Sequence, residues 1–191
     1  MTEQQIEEFD KLYQQACEKM EGLIILDGYR PKDISTSEKL RANEAIEYFV
    51  QALVIYPYHY QSLFFIGKLY QRLGNYEEAL SYLEASLNIE TANYSIPQEA
   101  SLVAMHLNQF DKAIEYSNEA LKRSPNNIAL LGNHSMNLLI AGRDNEALAA
   151  INKAMSIDST DEINQYIKSK IENVISGQEP RPTFENSLEA I

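Results

Sequence analysis

GKLYQRLGNYEEALSYLEASLNI, residues 67–89, reads as two short amphipathic helices parted by Gly74. Its Ala79 recurs as Ala45, Ala113 and Ala147, a step of 34 residues, and a fixed period of that length is what stacked helix hairpins leave in a sequence. Other columns keep the register: Ile46, Leu80, Ile114 and Leu148; Leu53, Leu87, Leu121 and Met155; Ala52, Ser86, Ala120 and Ala154; Tyr48, Tyr82 and Tyr116. Small residues seven apart, such as Ala113 and Ala120, fall on one helix stripe, where the missing side chain lets a neighbouring helix come close.

The punctuation repeats too. Gly74, Asn108 and Gly142 keep the same step ahead of each Ala column, and Gly or Asn there can take the left-handed conformation that ends a helix. Pro57 and Pro125, with Thr91 and Ser159 in the equivalent places, follow the second helix of a unit and mark its boundary. Each unit is therefore helix, short turn, helix, and the columns Tyr48, Tyr82 and Tyr116 are packing positions.

On these residues the chain resembles the tetratricopeptide repeat family, with 67–89 a close match to its pattern. The resemblance covers about 36–161, as a partial unit at 36–59 and units at 60–93, 94–127 and 128–161. Departures are small or apolar: His134, Ser135 and Leu138 in the last unit, Ser101 and Ala104 in the one before. The resemblance implies an all-α, right-handed α-solenoid.

Flanking segments extend the array. Thr2 with Gln5 forms a capping box, and Ile6, Phe9, Tyr13, Ala16, Cys17, Met20 and Ile24 follow at helical spacing toward a stop at Gly28, which assigns 1–28 to an N-terminal helix packing on the first repeat. Tyr29–Ile34, with Pro31, interrupts, and Ser35 with Glu38 opens the next helix. Ser159 with Glu162 reads as a third box, opening a capping helix at 162–176 whose apolar stripe would cover the last repeat. The tail, 177–191, is kept extended by Pro180 and Pro182 and ends in Phe184, Leu188 and Ile191 at spacings of four and three. It either frays or docks, on this chain or on a partner.

With 45% hydrophobic residues in 191, the chain can bury a substantial core, and the repeats predict one elongated unit. Its net charge of −12 disfavours nucleic acid and anionic lipid as principal partners. The start MTEQQIEEFD lacks a signal-peptide pattern and no apolar run is long enough to cross a bilayer, which predicts a cytoplasmic protein without membrane insertion. Cys17, the single cysteine, sits on an apolar stripe as a buried thiol. The three histidines, His59, His106 and His134, lack metal-ligand spacing, and no HExxH, CxxC or phosphate loop is present. No catalytic residue, cofactor or metal is expected.

Stacked helix pairs leave a concave face lined by the first helix of each pair, a ready groove for a peptide. Carried over from the family, the groove residues are Gln61, Phe64, Lys68, Gln71 and Arg72; then Ser95, Gln98, Leu102, Met105 and His106; then Ala129, Asn133, Met136 and Ile140. Lys68 and Arg72, one turn apart on one helix face, either hold a partner carboxylate together or pair with the chain's own many acids. The family's chaperone-tail clamp of Lys, Asn and Arg is not matched: Phe64, Lys68, Glu99, Ala129 and Asn133 stand in its positions. Asn93–Ala113 is also similar to the third-repeat region of type III secretion translocator chaperones, including the early Pro97. The leading expectation is a non-enzymatic adaptor that binds a protein or peptide in the groove; a cytoplasmic chaperone of a secreted client and a self-assembling protein using Phe184 and Leu188 are the alternatives.

Overall fold

The computed structural model describes residues 1–24 and 33–188, and every regular element in them is helical. The expected loop after the first helix, including Gly28 and Pro31, falls largely outside those residues. The chain comprises two compact units, 1–91 and 92–191, with Thr91 of the inter-repeat column ending the first.

The first unit holds α1 (Glu3–Met20), α2 (Thr36–Ile55), α3 (Tyr60–Leu73) and α4 (Tyr76–Leu87). Thr2 and Ser35 cap α1 and α2 through the reciprocal boxes read from the sequence. The first helix stops at Met20 rather than near Gly28, because Gly22 takes φ 73° and turns the chain. Within this unit Tyr13 lies edge-on to Phe49 with ring centres 5.6 Å apart, and Ala16, Ala42, Ala45, Ile46, Ile66 and Leu69 complete the core. Cys17 is half-buried against that core, and burial pushes its thiol up.

The second unit holds α5 (Ser95–His106), α6 (Phe110–Arg123), α7 (Ile128–Ile140), α8 (Asp144–Ile157), α9 (Glu162–Ile175) and the single turn α10 (Phe184–Leu188). Leu131, Leu138, Leu139, Ile151, Ile167 and Ile171 form its main core, so the apolar stripe of α9 closes over α7 and α8. The cap of α9 is Asp161, whose side chain accepts from Asn164 N–H, and not Ser159. Thr160 donates its N–H and its hydroxyl to Asp158 Oδ1, and this turn keeps Ser159 out of the helix.

The two small-residue columns explain the pairing. Ala45, Ala79, Ala113 and Ala147, and Ala52, Ser86, Ala120 and Ala154, are all wholly buried. A Cβ built on Gly67 would lie 2.8 Å from Leu83 Cγ and 3.1 Å from the Ala79 carbonyl oxygen, so α3 and α4 touch backbone to backbone there. One repeat later the same column carries Ser101 and Ala113, and the Ser101 hydroxyl donates to the Ala113 carbonyl at 2.7 Å. The turn between paired helices is equally regular. Gly74, Asn108 and Gly142 have φ of 81°, 55° and 81°, and the N–H groups of Asn75, Gln109 and Arg143 each donate back five residues, to the carbonyls of Tyr70, Ala104 and Leu138.

Two outcomes follow from this packing. Gly67→Ala gains about 1 kcal/mol of helix propensity but overpacks a contact with no slack, at a cost of about 1–3 kcal/mol. A thermal melt of that variant is expected a few degrees below the parent, and an equal or higher midpoint would contradict the close approach. The histidines set the acid response. Burial pushes His106 and His134 down to about 4 and lowers His59, whose Nδ1 accepts the Ser62 N–H at the start of α3. A histidine that stays neutral when buried binds fewer protons folded than unfolded, so its stability contribution is complete above pH of about 6.5 and is lost as pH falls toward 4. Urea midpoints are expected level above pH 7 and declining between 6.5 and 4, with a shallower decline in His134→Gln; a level profile down to pH 5 would contradict the assignment.

Candidate interaction face

The residues expected to line a groove lie on first helices of both units. In the first unit α3 carries Gln61 and Arg72 half-buried, while Phe64, Lys68 and Gln71 are buried, Lys68 to 3% and Gln71 to 1% exposure. Lys68 therefore presents almost no open surface, and a grip on a partner carboxylate by Lys68 and Arg72 jointly has no support in this arrangement.

In the second unit Leu102, Met105 and His106 of α5 meet Ile140 of α7 around one further side chain, Phe184 from the tail. The Phe184 ring stands edge-on to His106 with centres 4.8 Å apart and an interplanar angle of 87°, and it is 7% exposed. Met136 lies further along α7 and lines, with Tyr166 and Ile167, a cavity of about 130 Å³ against Pro180 and Pro182. Asn133 and Ala129 are exposed, and Gln98 is half-buried with its Oε1 enclosed and lacking a hydrogen-bond donor. Five of the expected residues are thus gathered under or beside the chain's own tail.

The tail is held at three points. Glu179 accepts from Lys170 Nζ and, at 2.8 Å, from Asn173 Nδ2, and this pairing keeps its carboxyl below the usual range. Arg181 donates to both Asp144 oxygens at 2.6 and 3.0 Å and to the Leu139 carbonyl in the last turn of α7. The guanidinium likewise holds the Asp144 carboxyl down. Phe184 is the third point. Arg181 and Asp144 went unmarked in the sequence; the signal that could have found them is an arginine flanked by prolines in an acidic chain, facing an acid in the first turn of α8.

Dimerisation through Phe184 and Leu188 starts from a Phe184 ring already packed within its own unit. Among the described residues no group of three His, Cys, Asp or Glu could hold a metal ion, and no helix is long and apolar enough to cross a membrane.

The comparisons agree with this architecture. The tetratricopeptide repeat model matches residues 60–93 and 98–127. No curated protein matches the chain. Among solved structures it is similar to a tetratricopeptide repeat protein from Parabacteroides merdae, at 16% identity and a TM-score of 0.74 over 90% of this chain, which spans 61% of that one. It is also similar to MamA, at 16% identity and 0.66 over 83% of this chain and 95% of that one. YrrB, described as having an unusual peptide-binding site, matches at 17% identity and 0.63 over 91% and 87% of the two chains. With helix pairs at the matched residues, small-residue columns in register and neighbours of the same build, this all-α chain carries tetratricopeptide repeats at 60–93 and 98–127.

Proposed function

We propose that the chain is an adaptor without catalytic activity of its own, and that it binds a protein or peptide partner on the first-helix face of residues 92–191. The observation that carries this reading is that α5, α7, α8 and α9 already seat a polypeptide segment there, by an aromatic ring among apolar side chains and by a guanidinium on a carboxylate. Those are the two kinds of anchor that dominate peptide recognition: a desolvated aromatic and a bidentate arginine pair. Leu102, Met105, Met136 and Ile140 supply adaptable apolar surface, and Met in particular repacks around different ligands. The apolar face of the terminal pair, which would otherwise be a second sticky surface, is closed by α9.

The reading is supported by the family's architecture, and in YrrB a peptide-binding site is named on the same fold. Two exposed asparagines separate the faces. Asn133 lies on α7, in the first-helix set, and Asn118 on α6, in the second-helix set. With a photoreactive amino acid at each position in turn, partner crosslinks in cells are expected at Asn133 and not at Asn118. Equal yields at the two positions, or crosslinks at Asn118 alone, would overturn the assignment of the face.

A further inference from the structure

The segment Glu179–Phe184, EPRPTF, lies on the second unit in the manner of a ligand. Its backbone is tied to the body at its first residue, where the Glu179 N–H donates to the Asn173 carbonyl of α9; among the described residues no backbone hydrogen bond joins 180–184 to α5, α7, α8 or α9, and the Ser187–Thr183 bond lies within the tail. Arg181 and Phe184 attach the segment by side chains alone, so another chain carrying the same side chains at the same spacing can make the same contacts.

Each anchor has a definite chemistry. Asp144 and the Leu139 carbonyl form an anionic corner, a carboxylate beside the negative end of the α7 dipole, and it takes a guanidinium and rejects an acid. Leu102, Met105, His106 and Ile140 form an apolar socket one aromatic ring wide. Between them Pro180 and Pro182 hold the backbone extended before binding, which lowers the entropy lost on seating it. The fit is also incomplete. The cavity of about 130 Å³ bounded by Met136, Tyr166, Ile167, Pro180 and Pro182 is space the tail does not fill.

We infer that the tail is a tethered occupant of the interaction face, and that the face selects partner segments in which an arginine is followed three residues later by an aromatic residue, binding by displacing Arg181 and Phe184. This rests on the proposed adaptor reading and adds the ligand class and a gate. A partner that also fills the space beside Met136 gains contacts the tail lacks. The chain's net charge of −12 favours encounter with such basic segments.

Because a site occupied by its own tail binds external ligand more weakly in proportion to the open fraction, releasing the tail must strengthen binding. The test is fluorescence anisotropy with a labelled peptide of residues 178–188, QEPRPTFENSL, against the full chain and against the full chain carrying Arg181→Ala and Phe184→Ala. The double variant is expected to bind the peptide about tenfold or more tightly than the parent, and peptides with the Arg or the Phe replaced by Ala are expected to lose that binding. Equal affinity for the two chains, or equal binding of the Ala-substituted peptides, overturns the inference. So does failure to bind any peptide when the variant keeps its helical circular dichroism. The crosslink at Asn133 separates the two claims: if it survives in that last case, the face still binds a partner and the tail-like ligand class alone is wrong. Should the double variant lose helicity, Arg181→Ala alone, at an exposed side chain, serves as the releasing variant under the same criteria.

Discussion

Everything in this chain depends on how closely the two helices of a pair approach. The approach is set by a column of small residues in the second helix, wholly buried at Ala45, Ala79, Ala113 and Ala147, and at Ala79 and Ala113 it faces a small residue in the first. Where that partner is Gly67, the helix backbones touch; where it is Ser101, the hydroxyl bonds the Ala113 carbonyl across the same gap. Two different residues solve one geometric demand, which is why a departure from the family pattern at Ser101 leaves the pairing intact. Left-handed residues at Gly74, Asn108 and Gly142 then reverse the chain within a short turn, so the small columns meet in register.

Tight pairing has a consequence for function. With second-helix columns committed to the core, the first helices of the second unit present Leu102, Met105, His106, Met136 and Ile140 on one side, and apolar surface of that extent is unfavourable in water unless covered. The tail covers much of it. Phe184 removes an aromatic ring and its neighbours from water, and Arg181 satisfies both the acid at the start of α8 and a carbonyl at the end of α7. A covering held by side chains at Arg181 and Phe184 is reversible in a way that a packed helix such as α9, with Ile167 and Ile171 in the core, is not.

The repeat was legible in the sequence because its columns are enforced by contact: small residues, turn residues and apolar positions cannot drift without separating the helices. Helix ends were less legible, since they turn on single local competitions. Gly22 stops α1 before Gly28, and the Asp158 turn passes the capping role from Ser159 to Asp161. In the sequence the tail can either fray or dock; Phe184 carries the signal for docking, but Arg181 and Asp144 are 37 positions apart and no local pattern pairs them. Lys68 shows the opposite failing, a charge whose spacing suggests a solvent-facing grip and whose side chain is buried.

The most direct test of the account is a proton–proton Overhauser measurement on the full chain at neutral pH, with Phe184 and His106 selectively labelled. Ring centres 4.8 Å apart require a strong cross-peak between the two rings and a Phe184 resonance displaced from its free-peptide position. A Phe184 ring at its free-peptide shift with no cross-peak to His106 would mean that the face does not hold the tail, and the occupied-site account would be wrong.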